Sequence, residues 1–186
     1  LTFAERPKSR SATGKLGREA GLVTAIAPSK TFNMPGLGLS ALVIPDPEHR
    51  RAMKTVFESM HMPQCNPFSI AGFEAGYRAG APWLDELMGY LQANRDYVEE
   101  MVNQRLPGIS VSSPEGTYLM WLDCRELGMP DTELKRFFVR DAGVGMNPGI
   151  SFGEQGSGFM RLNIGCPRSV LAEVLTRIET ALTAKS

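Results

Sequence analysis

A short apolar run followed by a lone lysine is the feature that most restricts the fold of this chain. Residues 22–27 (LVTAIA) are uncharged and rich in β-branched side chains, which is typical of a strand buried on both faces of a parallel sheet. Pro28 ends the strand because proline cannot donate a ladder hydrogen bond. The run therefore predicts an α/β fold with Lys30 just beyond the carboxyl end of a sheet strand.

Lys30 admits two interpretations at this position. Open α/β sheets bind ligands at the carboxyl ends of their strands, and a partly desolvated amine there is a nucleophile that can form a Schiff base. A lysine at a strand end can equally be a solvated surface residue without a chemical role. The local pattern does not choose between the two.

After the lysine the sequence predicts a strand, two helices and then a third, long helix. Residues 39–44 predict a second strand, and Asp46 followed by Pro47 has the N-cap and first-position proline of a helix start. A short helix is expected at residues 68–79 and a long one from residue 81 to Leu106. The first helix has apolar residues at helical spacing, namely Met53, Val56, Phe57 and Met60.

Beyond residue 108 short strands and helices alternate, which predicts a second, α+β domain. Asp131 is expected to cap a helix, and residues 170–182 predict the last helix of the chain. Residues 1–21, in contrast, are polar and predict an exposed loop. The strands of the second domain are expected at residues 109–112, 118–122, 144–146 and 159–164.

Arg161 stands in the middle of an otherwise apolar strand pattern, residues 159–164 (FMRLNI). A guanidinium in such surroundings must find an anion, because its desolvation is costly. Its planar fork matches a carboxylate, so Arg161 is a candidate for binding an acidic group of a ligand. A structural ion pair with a nearby Glu or Asp is the alternative.

Other candidate residues have both a functional and a structural interpretation. Ser29 and Asn33 flank the lysine and could contact a ligand there, or only cap the turn. Tyr118 and Trp121 lie on one predicted strand, where aromatic residues more often belong to the core. Residues 149–158 (GISFGEQGSG) are rich in glycine but precede a strand, so they predict a mobile substrate loop and not a nucleotide-binding turn.

Composition excludes several classes of protein. Twenty basic and twenty acidic residues cancel, so nothing predicts a nucleic-acid partner. No apolar run is long enough for a membrane helix, and no signal peptide is evident at the first residues. The three cysteines are far apart and the two histidines lack ligand spacing, which predicts reduced thiols, a cytoplasmic location and no metal site.

Four segments in order resemble a known enzyme family. They are residues 27–33 (APSKTFN), 116–121 (GTYLMW), 147–153 (NPGISFG) and 158–168 (GFMRLNIGCPR). Together they resemble fold-type I pyridoxal-phosphate enzymes of the class I/II aminotransferase superfamily. Within it they are most similar to the MalY/PatB-type carbon–sulfur lyases, which are cystathionine β-lyase-like.

This resemblance implies roles for Lys30 and Arg161, while Ser29 and Asn33 are candidate cofactor contacts because they flank the lysine. Lys30 would be the Schiff-base lysine that holds pyridoxal 5′-phosphate and later acts as the catalytic base. Ser29 and Asn33 would contact the cofactor, and Arg161 would bind the α-carboxylate of an amino-acid substrate.

The resemblance also implies the fold class: the C-terminal part of a fold-type I transferase, with the end of the large parallel-sheet domain and the small α+β domain. Residues 1–80 would belong to the large cofactor domain, 81–108 to a connecting helix and 109–186 to the small domain. Classical aminotransferases bind the phosphate with a serine and an arginine where this chain has Ala27 and Gly38, and this difference favours the lyase branch.

The expected activity is β-elimination from cystathionine or cysteine S-conjugates, giving a thiol, pyruvate and ammonia. An aminotransferase is the first alternative, and a catalytically inert fragment or dimerisation domain is the second. The complete enzyme is expected to be a homodimer. In the resembled family the residue that holds the pyridine nitrogen precedes the position of Leu1, so the 186-residue chain alone is expected to be inactive. It is expected either to self-associate through its open strands or to need the missing half of the protein.

Overall fold

The structure, a computed structural model, describes residues 21–62 and 66–185. The predicted exposed loop, apart from Gly21, and the thiol of Cys65 lie outside these residues. The chain divides into two compact units, N-terminal and C-terminal, with the boundary between Glu86 and Leu87. Within the described ranges, no helix is both long and apolar enough to cross a membrane.

The N-terminal unit contains a two-stranded antiparallel ladder, β1 (Thr24–Ile26) and β2 (Ala41–Val43), with Ala25 opposite Leu42. The prediction of a parallel strand buried on both faces is therefore wrong for the described chain. An apolar run does not specify the direction of its partner, and the segment between the strands is a compact turn without a crossover helix, so the chain returns antiparallel. Ile26 and Leu42 are 38% and 39% exposed.

Helix α1 (Pro47–Ser59) begins where its sequence predicts. The Asp46 carboxylate accepts hydrogen bonds from the backbone N–H groups of Glu48 (2.8 Å) and His49 (2.9 Å), as an N-cap does. The bond from His49, followed by that from Glu48, holds the pKa of Asp46 below its ordinary value. None of the residues of α1 is buried, so its apolar stripe is not covered by the described chain.

Helices α2 (Pro67–Ala79) and α3 (Ala81–Arg105) confirm the predicted short and long helices. Asn66 caps α2 by accepting a hydrogen bond from the Phe68 backbone N–H at 2.8 Å. The C-terminal part of α3 contributes Val98, Met101 and Val102 to the core of the C-terminal unit. Leu91 of the same helix is also buried.

The remaining elements are β3 (Ser110–Val111), β4 (Leu119–Asp123), α4 (Asp131–Arg136), β5 (Asn147–Pro148), β6 (Phe159–Asn163) and α5 (Arg168–Lys185). The C-terminal unit is built on a four-stranded antiparallel sheet in the order β3-β4-β6-β5. Alternate residues of β4 and β6, among them Leu122 and its cross-strand partner Met160, are fully buried. Helix α4 and a π-helical turn at Phe137–Asp141 precede β5, and α5 closes the chain.

Two predictions for this unit are wrong. Asp131 does not cap α4, whose N-cap is Pro130, because its carboxylate instead accepts hydrogen bonds from the Ser157 hydroxyl (2.8 Å) and the Gly158 N–H (2.9 Å). Residues 144–146 do not form a strand. The backbone N–H of Val144 donates to the Phe138 carbonyl at 2.7 Å, so the segment closes the π-helical turn and the strand begins later.

Asn94 is the buried polar residue that ties α3 to the chain beyond β6. Its side chain is 0% exposed, and its Nδ2 donates to the carbonyls of Ile164 (2.8 Å) and Cys166 (3.0 Å). Its Oδ1 accepts a hydrogen bond from Arg168 Nε at 2.8 Å. Both the nitrogen and the oxygen of this buried amide therefore have hydrogen-bond partners, as buried polar groups usually do.

We expect Asn94→Ala to lower the free energy of unfolding by about 3 kcal/mol, because it leaves two carbonyls and a guanidinium without their partner. Urea denaturation measures the change. Asn103→Ala is the matched control, since Asn103 is exposed on the same helix. Equal effects of the two substitutions would contradict this role of Asn94.

Candidate active site

Lys30 lies within a single helical turn that follows β1. The Phe32 N–H donates to the Pro28 carbonyl, and the Met34 N–H donates to the Ser29 carbonyl, both at 2.9 Å. Asn33 has a φ of 52°, the left-handed conformation that ends such a turn with a hydrogen bond spanning six residues. The backbone around Lys30 is therefore fixed by local hydrogen bonds.

The Lys30 side chain is exposed, and no hydrogen bond or ion pair joins its amine to another residue in the described ranges. The partial desolvation expected from a buried strand end is not found, because the two-stranded ladder does not cover this side chain. Within the described ranges the amine is therefore not engaged by another residue.

Phe32 fixes the lysine turn against α2 and the first turn of α3. Its ring makes an edge contact with Tyr77, with centroids 5.7 Å apart, and lies 6.4 Å from the Trp83 ring. A Cβ atom added to Gly76 or Gly80 would lie 2.8 or 2.6 Å from the Phe32 ring. The glycines therefore leave the space that this ring occupies.

Gly72, Gly76 and Gly80 form a glycine row along α2, because residues four apart lie on one helix face. A Cβ atom on Gly72 would come within 2.7 Å of Leu37 Cδ1, and one on Gly76 within 3.2 Å of Met34 Cε. The side chains of Phe32, Met34 and Leu37 thus pack on a helix face that has glycines in place of larger residues.

Ser29 and Asn33 have clear structural roles in this turn. Ser29 is half-buried and supplies the carbonyl for the closing hydrogen bond, and Asn33 adopts the left-handed conformation that asparagine tolerates better than most residues. Contacts of their side chains with a cofactor stay predictions.

Arg161 lies on β6, in the C-terminal unit, between Asn147 of β5 and Trp121 of β4. Its Nη2 donates to Asn147 Oδ1 at 3.1 Å, and its Cζ lies 4.5 Å from the centroid of the Phe152 ring. No carboxylate of residues 21–62 or 66–185 pairs with it, and its Nε is buried without a hydrogen-bond partner there. A structural ion pair, the alternative role of Arg161, therefore has no acidic partner residue in the described chain.

Trp121 and Tyr118 differ in their surroundings. Tyr118 packs against the core of the C-terminal unit, in line with the prediction for a strand aromatic. Trp121 is half-buried on the face of Arg161 and contacts the edge of the Phe152 ring, with centroids 5.5 Å apart. The contacts of Asn147 and Phe152 with Arg161 were not predicted, although both residues lie in a segment that the family resemblance singles out.

The glycine-rich loop, residues 149–158, is folded into two 3₁₀ turns, Gly149–Phe152 and Glu154–Gly156. The backbones of Gly149 and Gly156 approach so closely that a Cβ atom on either would overlap the other residue. Asp131 holds the end of the loop through Ser157 and Gly158. The loop is thus closed on itself, and its mobility as a substrate loop stays a prediction.

The thiols of Cys124 and Cys166 are both free. Burial raises the pKa of Cys124 to about 12, with a smaller contribution from the Asp123 charge. Burial also raises the pKa of Cys166. Neither thiol is therefore prepared to act as a nucleophile near neutral pH. Among the described residues no cluster of His, Cys, Asp and Glu could hold a metal ion.

The chain is similar in sequence and in fold to known enzymes. No protein-family model matches the chain. It is 39% identical over 161 residues to cystathionine β-lyase PatB of Bacillus subtilis (strain 168), covering 87% of this chain and 42% of that protein. It is 34% identical to MalY of Escherichia coli (strain K12), covering 84% of this chain and 40% of MalY. The chain thus spans about two fifths of the length of these curated relatives.

A solved structure shares the fold. Cystalysin from Treponema denticola, whose crystal structure contains a pyridoxal 5′-phosphate cofactor, has a TM-score of 0.84 and 31% sequence identity, over 88% of this chain and 42% of that one. Aminotransferases also occur among the similar proteins. The similarity therefore extends to two kinds of enzyme.

We expect Gly76→Ala to lower the free energy of unfolding by about 1–3 kcal/mol, because its methyl group overlaps the Phe32 ring. Urea denaturation measures the change, and Gly89→Ala is the control, since a Cβ there meets no atom within 4 Å. Phe32→Leu should relieve the overlap, so the double variant should lose less than the sum of the single ones. Additive losses would contradict this packing.

Proposed function

We propose that this chain, which belongs to the MalY/PatB-type branch of the fold-type I pyridoxal-phosphate enzymes and corresponds to the C-terminal part of that fold, serves carbon–sulfur bond cleavage in the complete protein. The substrates are sulfur-containing amino acids, namely cystathionine or cysteine S-conjugates. The products are a thiol, pyruvate and ammonia. The complete protein acts in the cytoplasm as a homodimer.

The observation that carries this proposal is the Lys30 turn. Its backbone is fixed by two hydrogen bonds and by the Phe32 ring, while its amine is exposed and has no partner among the described residues. A fixed backbone and a nitrogen without a partner among these residues allow Lys30 to bind an aldehyde. The desolvation that activates such a lysine must come from parts of the complete protein outside the described residues.

The residues present fit pyridoxal 5′-phosphate at the lysine. Lys30 Nζ would hold the cofactor through its aldehyde carbon, with Ser29 and Asn33 beside it. Ala27 and Gly38 offer no side-chain donor for the phosphate, so its ligands belong to other residues. When bound, the cofactor supplies an electron sink for negative charge at the substrate Cα.

Lys30 has a second role, as a base. With a substrate bound, Lys30 Nζ would be a free amine beside the substrate and would remove the Cα proton. The bond between Cβ and sulfur breaks, and the sulfur leaves as a thiolate that takes up a proton. Water converts the remaining three-carbon fragment to pyruvate and ammonia.

Arg161 binds the α-carboxylate of the substrate. Its guanidinium can donate two parallel hydrogen bonds to a carboxylate, and no carboxylate in the described ranges competes for it. A fixed carboxylate orients the substrate about Cα, which decides which bond of Cα can be broken.

An aminotransferase is the second candidate, since aminotransferases occur among the similar proteins and need the same lysine and arginine. The two activities separate in one assay. A lyase releases thiol from cystathionine without any keto-acid acceptor, whereas an aminotransferase requires the acceptor and releases none. An inert interaction domain would bind no cofactor in either assay.

We expect Lys30→Ala in the complete protein to reduce thiol release to below about one hundredth of the wild-type rate, because one nitrogen both holds the cofactor and removes the proton. The visible absorbance that borohydride removes from the wild type should also be missing. Lys54→Ala, at an exposed lysine of α1, is the control. Retention of a tenth of the activity, or about that, would overturn this role.

We expect Arg161→Lys to raise the KM for cystathionine at least about tenfold, with cofactor binding unchanged, because a single ammonium cannot reproduce the guanidinium fork. Arg140→Lys, at an exposed position, should have no effect. An unchanged KM combined with a lower melting temperature would instead identify Arg161 as a structural residue.

A further inference from the structure

We propose that Asn147 and Phe152 are positioning residues, which hold the Arg161 guanidinium in the orientation that receives the substrate carboxylate. This inference rests on the proposed role of Arg161. It assigns to the segment between β5 and β6 the task of presenting an arginine to an anion.

Asn147 directs Arg161 without neutralising its charge. The two residues are cross-strand partners of β5 and β6, and Asn147 Oδ1 accepts a hydrogen bond from Nη2 at 3.1 Å. An aspartate at this position would offer similar geometry but would form an ion pair and compete with an incoming carboxylate. A neutral amide oxygen orients the guanidinium and leaves its full positive charge to a ligand.

Phe152 restricts the guanidinium from a second direction. Its ring centroid lies 4.5 Å from Arg161 Cζ, which is a cation–π distance. The Phe152 ring is itself held by the edge contact with Trp121, the residue opposite Arg161 on β4. The guanidinium thus has a hydrogen bond on one side and an aromatic ring on another.

The backbone of the glycine-rich loop sets the place of the Phe152 ring. The Gly149 and Gly156 backbones are in close contact, and Asp131 accepts hydrogen bonds from Ser157 and Gly158 at the end of the loop. Phe152 is 54% exposed, so burial in the core does not fix it. The contacts that close the loop therefore place the ring over the arginine in a structure without ligand, so less conformational entropy would be lost on binding.

The test uses the complete protein with pyridoxal phosphate bound, and it measures kcat and KM for thiol release from L-cystathionine. We expect Asn147→Ala to raise KM about fivefold and Asn147→Asp about thirtyfold, with kcat within about a factor of two of the wild type. Phe152→Leu should raise KM about fivefold, whereas Phe152→Tyr should have the KM of the wild type, because it keeps the aromatic ring. Gln155→Ala, on the exposed part of the same loop, is the control.

Two results would overturn the proposal. One is that Asn147→Asp changes KM no more than Asn147→Ala, which would show that charge at this position does not reach the substrate. The other is that all variants lower the melting temperature while KM is unchanged, which would be a purely structural role. Failure of the proposed function is distinguishable, because then the wild-type protein itself would release no thiol from L-cystathionine. Failure of the proposed role of Arg161 is distinguishable as well, because then Arg161→Lys would leave KM unchanged.

Discussion

The contact of the Phe32 ring with a helix face that lacks side chains is the constraint on which the candidate site depends. Two backbone hydrogen bonds close the turn around Lys30, but a turn alone does not locate a side chain in the protein. The ring lies against Gly76 and Gly80 and contacts Tyr77 and Trp83. Gly76 weakens α2 by roughly 1 kcal/mol relative to alanine, but it lets the loop that carries the lysine pack directly on the helix backbone. Gly80 is the C-cap of α2.

The arginine in the C-terminal unit shows a related principle with different chemistry. A guanidinium in a sheet can be satisfied by a carboxylate, which stabilises it but uses its charge, or it can be oriented by groups that leave the charge free. Asn147 and Phe152 are of the second kind. An arginine oriented in this way can still form an ion pair with a ligand. That interaction favours the binding of an anionic group.

Much of the fold follows from local sequence rules, and what does not depends on partners in space. Asp46 followed by Pro47 predicts the start of a helix, and the structure confirms it with both N-cap hydrogen bonds. The apolar run at 22–27 predicts a strand but contains no information on the direction of its partner, so the antiparallel ladder with β2 could not be foreseen. Asp131 has the side chain of a helix cap, yet a loop 26 residues further along the chain uses its carboxylate. The same holds for the site: Lys30 and Arg161 stand out from their neighbours in sequence, whereas the contacts of Phe32, Asn147 and Phe152 exist only after folding.

The covalent use of Lys30 is the central claim, and peptide mapping after reduction tests it most directly. The complete protein with pyridoxal phosphate bound is treated with borohydride, which makes the bond between the cofactor and a lysine permanent, and is then digested and sequenced by mass spectrometry. We expect the added phosphopyridoxyl mass on the peptide that contains Lys30 and on no other. The same mass on a different lysine, or its absence from every peptide of a protein that binds the cofactor, would contradict the role proposed for Lys30.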